Sequence, residues 1–553
     1  MTIKQRLADL LGQAVKSAQA VGKLPAVTLP ENVIERPQNP EHGDYATSLP
    51  LKLARVAGQS PLVIAREIVS FIPANPELEC VLAAPPGFIN FKLNDRWLAR
   101  QVDDILEAGG RYGSIDLGKG SRVQVEFVSV NPTGPLHVGH GRGAMLGSGL
   151  ANVMAAAGYQ VTREYYLNDT GNQVDAFKRS LYARYQQGFG REALVPADGY
   201  HGSYLVTMAQ EIAGREGKRF LDMAEPEALR EVGKLGLDMV IGEIKADLDR
   251  LGVTFDVWFS EQSLYDSGQY QKVMARLQKE GHLAAKEGAT WFISTALGED
   301  KDNVVVRGDG SPTYFASDIA YHYDKFLVRK FDRVINIWGA DHQGHVSRMK
   351  AVIGALGISP ERLTVLICQM VSLKRGEETV RVSKRSGDLI TLRELIEEVG
   401  ADACRYFFMA RSPGSQMDFD LELAKKESPE NPVYYVQYGH ARICSILRLA
   451  REKGLSYDDG DVSLLKTEPE LSLIRKMLLL PETVETAARM LEPHHLAYYA
   501  LDLATVFHSF YDTCRVVSDN AALTKARLKL VAAARVVLAR TLNLMGMNAP
   551  ENM

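Results

Sequence analysis

Read for the spacing of its apolar positions, the chain divides into three zones. The first, residues 1–112, opens on MTIKQRLADLLGQAV, where Leu and Val recur at helical spacing and acids and bases fill the other face. A Pro-rich turn, ERPQNPEHGDYAT, follows, and Phe88–Leu93 has the pattern of a short strand, so a small α+β domain is expected. Gly109, Gly110 and Gly113 supply a linker.

In residues 113–420 the period changes. Strand-like runs (VQVEFVSV at 123–130, RVINIWGA, RLTVLICQM) alternate with helical ones such as AMLGSGLANVMAAAG. That alternation predicts an α/β fold with a doubly wound, Rossmann-like parallel sheet. From about 175 to 290 long amphipathic helices, EALREVGKLGLDMVIGEIKADLDRL among them, interrupt it, and this stretch is expected to be a helical insertion. Residues 421–553 have helical period nearly throughout, as in SLIRKMLLL and KARLKLVAAARVVLARTLNLM, which predicts an all-α bundle.

Composition narrows this picture only slightly. Hydrophobic residues make up 46% and charged ones 24%, the profile of an ordinary globular protein, and the net charge of −4 means that any RNA contact is a local face. Cys80, Cys368, Cys404, Cys444 and Cys514 lie far apart with no C-x-x-C pair, which argues against cysteine-held zinc and suits a reducing cytoplasm. The N-terminus lacks the apolar core of a signal peptide, and no run reaches the ~20 apolar residues of a membrane span.

Candidate chemistry begins where the first strand of the middle zone ends. Asn131-Pro132-Thr133-Gly134-Pro135-Leu136-His137-Val138-Gly139-His140-Gly141-Arg142-Gly143 leads into a clear helix. The helix N-terminus offers free N–H groups to a phosphate, and two imidazoles three residues apart can donate hydrogen bonds to it. A nicotinamide-nucleotide fingerprint is the rival reading, since Gly139-x-Gly141-x-x-Ala144 fits it and Glu164 lies where a ribose-binding acid belongs. That fingerprint should begin directly at the strand end, whereas here NPTGPLHV intervenes.

His137-Val138-Gly139-His140 resembles the HIGH signature of class I aminoacyl-tRNA synthetases, and EFVSVNPTGPLHVGHGRGA resembles the arginine enzymes of that class. Arg381-Val382-Ser383-Lys384-Arg385-Ser386 is similar to their KMSKS loop, with Arg381 and Val382 departing from it. The resemblance implies ATP and its Mg²⁺ as substrate, held by Pro132, Thr133, Gly134, Pro135, Leu136, His137, Val138, Gly139, His140, Gly141, Gly339, Asp341, Ser383, Lys384 and Arg385. His137, His140 and Lys384 are the implied catalytic residues. No protein-bound zinc is expected, because the i,i+3 spacing of His342 and His345 does not by itself define a site.

Arginine recognition needs carboxylates placed to receive a planar, permanently charged fork. Glu126 sits inside an otherwise apolar strand, and Asp318 follows Tyr314 by four residues, so a helix would bring those two to one face. The resemblance implies that Glu126, Asn131, Tyr314 and Asp318 bind arginine, with His342 and Gln343 from Gly339-Ala340-Asp341-His342-Gln343-Gly344-His345. Such a pocket makes editing unnecessary, and an insertion of roughly 115 residues is too short for an editing domain.

Tyr434, Gln437, Tyr438 and Arg442 in NPVYYVQYGHAR resemble the opening of the arginine enzymes' anticodon-binding bundle, and PEHGDYAT their tRNA-elbow domain. Arg515, Lys525, Arg527, Lys529, Arg535 and Arg540 suggest a basic face for RNA phosphates. The expected protein is a cytoplasmic, monomeric arginine–tRNA ligase with tRNA(Arg), L-arginine and ATP as partners and no membrane contact. The resemblance further implies that arginine activation requires bound tRNA. A class I ligase for another amino acid, a non-tRNA nucleotidyl transferase of the same fold and a nicotinamide-dependent oxidoreductase are the alternatives.

Overall fold

The computed structural model describes residues 2–26, 34–376, 378–380 and 390–553. Its first unit comprises α1 (Ile3–Ala20), β1 (Tyr45–Thr47), α2 (Leu49–Ala57), α3 (Pro61–Ser70), β2 (Leu78–Ala84), β3 (Phe88–Leu93) and α4 (Asp95–Ala108). The three strands form an antiparallel sheet in the order β1-β3-β2. One face of α1 (Leu7, Leu11, Ala14, Val15) is buried, as its spacing predicts.

The central unit begins with β4 (Arg122–Glu126), α5 (Val138–Ala156) and β5 (Gln160–Leu167). Three helices follow, α6 (Asn172–Gly188), α7 (Ser203–Glu216) and α8 (Glu225–Arg250), then β6 (Val257–Ser260), α9 (Gln262–Asp266) and α10 (Gln269–Lys279). A small antiparallel sheet of β7 (Leu283–Lys286), β8 (Ala289–Phe292) and β9 (Asn303–Val306) leads to α11 (Tyr314–Tyr323). The chain returns to the main sheet with β10 (Arg333–Gly339), α12 (Val346–Ala355) and β11 (Leu363–Cys368). It then forms β12 (Val371–Arg375), β13 (Glu378–Val380), α13 (Leu392–Val399), α14 (Ala401–Met409), β14 (Met417–Asp420) and α15 (Leu421–Lys425).

The main sheet has the order β11-β10-β4-β5-β6 with every pairing parallel, the doubly wound arrangement expected. Its order reverses at β4, so the carboxyl ends of β4 and β10 open a crevice where ligands bind in such sheets. Two local expectations need correction. The stretch about 175–290 is not wholly an insertion: β6 lies within it and forms an edge of the main sheet. Four half-buried residues, VWFS, are too short a run to stand out between long helices. The strand expected over 123–130 stops at Glu126, because Val128 and Ser129 take left-handed backbone angles (φ 68° and 45°) and turn the chain out of the sheet.

The last unit is helical: α16 (Pro432–Glu452), α17 (Glu468–Met477), α18 (Leu480–Met490), α19 (His494–Thr513) and α20 (Ala521–Met545). The N-terminal unit leans on it through ion pairs from Arg475 to Asp44 (2.8 Å) and from Lys529 to Asp103 (2.7 Å). Among the described residues no helix is long and apolar enough to cross a membrane.

Candidate active site

The loop after β4 is built around its histidines. His137 is the N-cap of α5, and its Nδ1 accepts from the Gly139 amide at 3.1 Å. His140 Nδ1 accepts in turn from the His137 amide at 3.2 Å. A ring nitrogen that accepts a backbone N–H carries no proton, so in each neutral imidazole the proton sits on Nε2. Burial holds His137 below its usual pKa, and burial together with His137 pushes His140 down to about 3. The loop therefore presents two uncharged N–H donors beside the amides of a helix N-terminus, a set of donors suited to phosphate.

Glycine is required here for close approach. A Cβ on Gly141 would stand 2.7 Å from Leu392, and one on Gly147 2.2 Å from the Phe127 ring. Leu136 and Val138 are buried, and the Leu392 amide donates to the Leu136 carbonyl at 2.7 Å. Thr391 bridges His137 as an isolated antiparallel pair. Ser383, Lys384 and Arg385, expected at the nucleotide, lie outside the described residues, as does Arg381. Residues 390–392, which follow that segment, are nevertheless bonded to the histidine loop. The insertion reaches the same loop through Tyr204, whose hydroxyl donates to the Thr133 carbonyl.

The same unit also gathers acids. Glu126 is buried at the end of β4, and Asp318 is half-buried on α11, one turn after Tyr314, which is 43% exposed. A third acid, Glu261, lies just past β6 and is 2% exposed. All three bear electrostatically on the buried Tyr166, which also acts on Glu261 through its hydroxyl. Burial, followed by Glu261 and Glu126, raises Asp318 to about 7, and burial raises Glu261 to about 7. Lys325 is ion-paired with Glu126, while Arg348 and Lys325 are the cations that act on Asp318. Three carboxylates that act on one another's surroundings, two of them resisting ionisation, would gain from a cationic guest. Glu261 escaped the sequence reading because it follows the strand hidden in the supposed insertion.

The remaining expected residues fall around these two half-sites. The Asn131 amide donates to Gln173 of α6. Gly339, Asp341, His342 and Gln343 form an exposed turn at the end of β10, the strand paired with β4. His342 Nε2 and Asp341 are 3.4 Å apart.

The helical unit divides its expected RNA residues. Tyr434 and Tyr438 stack at 5.8 Å and 7°, and Arg442 lies 4.8 Å over Tyr438 and 4.9 Å over Tyr511. Gln437 does not join them. It is 9% exposed, and its amide is used by Asp402 (2.7 Å) and the Asn548 carbonyl (3.0 Å), so it fastens α16 to α14 and the C-terminal tail. The expected basic face is also partly consumed: Arg527 pairs with Glu470, Lys525 with Asp459 and Lys529 with Asp103, at 2.7, 2.6 and 2.7 Å. Asp44 of the PEHGDYAT segment is likewise internal, accepting from the Leu93 amide and pairing with Arg475.

Known families match all three units. Residues 3–93 match the arginyl tRNA synthetase N terminal domain, 101–412 the catalytic domain of class I (R) tRNA synthetases, and 436–553 the DALR anticodon binding domain. An arginine–tRNA ligase of Dehalococcoides mccartyi is 60% identical over 553 residues, covering 100% of this chain and 99% of its own. One from Moorella thermoacetica is 50% identical over 555 residues, with coverage of 100% and 99%. The arginyl-tRNA synthetase structure of Thermus thermophilus has the same fold, with a TM-score of 0.79 at 24% identity and full coverage of both chains. A cysteine-free histidine loop, an acid-lined crevice and a terminal helical unit thus occur together in one full-length match, and the chain belongs to the arginyl-tRNA synthetase family of class I, the arginine–tRNA ligases.

Proposed function

We propose that the two half-sites divide arginine–tRNA ligation between them as follows. Glu126, Asp318 and Glu261 receive the guanidinium, Tyr314 closes over it, and Asn131, His342 and Gln343 orient the α-amino acid end. ATP, entering with Mg²⁺ as substrate, lies along the loop from Pro132 to Gly141 and the turn at Gly339 and Asp341. A carboxylate oxygen of arginine attacks the α-phosphorus in line, forming an acyl–phosphate bond as the bond to pyrophosphate breaks. His137 and His140 donate Nε2–H to the phosphate oxygens on which charge develops, while Lys384, with Ser383 and Arg385 beside it, neutralises the departing pyrophosphate. A 3′-terminal ribose hydroxyl of tRNA(Arg) then attacks the acyl carbon, forming the ester and releasing AMP.

The observation that carries this reading is the cluster of three acids that act on Tyr166, in the same catalytic unit as two neutral histidines. A neutral amino acid would supply no cation to the excess of acids here, which opposes ligation of most alternatives. Tyr434, Tyr438 and Arg442 offer stacking faces to unpaired bases of the tRNA. The enzyme acts as a cytoplasmic monomer without protein-bound zinc.

The test is aminoacylation of total tRNA with each labelled amino acid in turn. Arginine alone should be transferred. Transfer of another amino acid at comparable efficiency, with arginine inert, overturns the assignment of the acids.

A further inference from the structure

Helix α11 carries a polar stripe, Tyr314, Asp318 and His322, at spacings of four residues, and Lys325 follows in the turn just after the helix. The spacing puts the three helical side chains on one face. The first two belong to the pocket. The other two are buried, with His322 1% and Lys325 0% exposed, and touch no open part of the crevice.

Together with Asn336 of β10, which is also 0% exposed, they form a continuous chain of hydrogen bonds. Lys325 Nζ is paired with Glu126 Oε2 and donates to Asn336 Oδ1 at 3.0 Å. Asn336 Nδ2 lies 3.0 Å from His322 Nε2, and His322 Nδ1 lies 2.8 Å from the Asp318 carbonyl oxygen. An ammonium has donors only, so the polarity of every link is determined by Lys325. Asn336 must accept with its oxygen and donate with its nitrogen. His322 accepts at Nε2 and donates from Nδ1 to Asp318. Burial, then Lys325, holds His322 well below its usual pKa, consistent with the neutral ring that this order demands.

We propose that Lys325, Asn336 and His322 are positioning residues for arginine recognition, a buried relay that ties the side chain of Glu126 to the turn of α11 carrying Asp318 and so sets the spacing of the two carboxylates. The proposal rests on the reading that these acids bind the guanidinium. It explains why a buried ammonium is present at all, since a matched apolar side chain would generally be no less stable. Lys325 occupies one oxygen of Glu126. The second oxygen makes no hydrogen bond among the described residues and is available to the guest. After α11 the chain passes into a π-helical turn at Asp324–Val328, a feature frequent at functional sites, and it directs Lys325 inward while Arg329 pairs with Glu164 and Asp324.

The charged and titratable groups around the relay are Glu126 on β4, Glu164 and Tyr166 on β5, and Glu261 beyond β6. Asp318 and Tyr321 on α11, Asp324 and Arg329 after it, and Arg348 on α12 complete the set. Removing the Lys325 charge adds to the excess of acids and makes Asp318 harder to ionise.

The experiment measures KM and kcat for arginine in tRNA-saturated aminoacylation from about pH 6 to about pH 9. Lys325→Met should raise KM about 10- to 100-fold while kcat changes less than about threefold, and should move the acid limb of the 1/KM profile upward by about one pH unit. Asn336→Leu and His322→Leu should act in the same direction more weakly. His322→Gln, which keeps one acceptor and one donor, should restore much of the parental KM. The KM for ATP should stay constant throughout.

If Asp318→Asn raises the arginine KM but the relay variants keep the parental KM and pH profile, losing only thermal stability, the relay is structural and the proposal falls. Should Asp318→Asn and Glu126→Gln both leave KM unchanged, the recognition reading fails and the relay with it. Where Lys325→Met does not fold, the His322→Leu and His322→Gln pair decides: equal KM values in the two overturn the relay.

Discussion

The two proposed half-sites, the histidine loop for the nucleotide and the acid cluster for the amino acid, handle charge in opposite ways. At the histidine loop, burial strips charge from His137 and His140 and leaves N–H donors, so a phosphate meets dipoles held in place by the backbone of α5. In the acid cluster proposed for arginine, carboxylates outnumber the local cations, and burial raises Asp318 and Glu261 to about 7. The contrast follows from the ligands. Triphosphate must be held and then partly released as pyrophosphate, which favours moderate, oriented interactions. A guanidinium must be told from every neutral side chain, which favours an uncompensated charge.

The largest expected effect breaks the nucleotide half away from the other. ATP–pyrophosphate exchange at saturating arginine and ATP should fall by about 10²-fold or more when tRNA is withheld. Residues 390–392 are bonded to the histidine loop and lead through α13 to α16, so tRNA docked on the helical unit can favour one arrangement of the loop. Restoration by tRNA with an oxidised terminal ribose is the expected control. Rapid exchange in RNA-free enzyme would sink the idea.

Next in size is Lys384→Ala. Rapid-quench measurement should show adenylate formation slowed about 10²- to 10³-fold with the arginine KM nearly constant, because a charge acting on departing pyrophosphate matters in the transition state. Wild-type speed in that variant would transfer the role to another cation, with Lys374 the first candidate.

The amino-acid half should respond in KM instead. Asp318→Asn and Glu126→Gln each remove a charged partner worth about 1.5–3 kcal/mol, so the arginine KM should rise about 10- to 150-fold. The pH dependence has a definite sign. Asp318 and Glu261 carry pKa values of about 7 without arginine, and a bound guanidinium favours their ionised forms. Binding therefore releases protons, and the arginine KM should climb as pH falls below about 7, by up to about tenfold per unit for each acid. The ATP KM, governed by already neutral histidines, should show no such limb. An arginine KM that is flat down to pH ~5 contradicts the raised acids.

The two halves were also unequally legible in the sequence. Local chemistry spelled out the histidine loop: prolines, glycines and imidazoles lie within one short string between a strand and a helix, and α5, β10 and β11 form where their patterns predict. The acid cluster proposed for arginine is assembled from β4, β5, β6 and α11, and only part of it could be read. Glu126 and Asp318 were visible as acids in unusual settings. The pairing of Glu126 with Lys325 joins residues 199 apart, and Glu261 follows a four-residue strand, so neither leaves a local signal. Val128 and Ser129 misled for a related reason, since β-branched and small residues in an apolar run read as strand until tertiary packing turns them. Gln437 shows the limit of helical spacing: it lies between Tyr434 and Tyr438 in sequence, and only packing against Asp402 reveals that it faces inward.

The smallest expected effect carries the same distinction between free and committed charge to the helical unit. Six basic residues between Arg515 and Arg540 suggest phosphate contacts, yet Lys525 and Lys529 already hold Asp459 and Asp103. A lysine that neutralises a phosphate releases a counterion, and its loss reduces the slope of log affinity against log salt by about 0.7–0.9. A lysine in a surface ion pair contributes at most about 1 kcal/mol to folding and nothing to that slope. Lys525→Gln should therefore leave both the tRNA affinity and its salt slope nearly unchanged. Lys529→Gln should do the same to the slope while loosening the contact between α20 and α4, visible as a small fall in Tm. Filter-binding titrations across a salt series distinguish the cases. A slope reduced by a full contact in either variant means that the ion pair opens when tRNA binds, and the basic face read from the sequence is then assembled only in the complex.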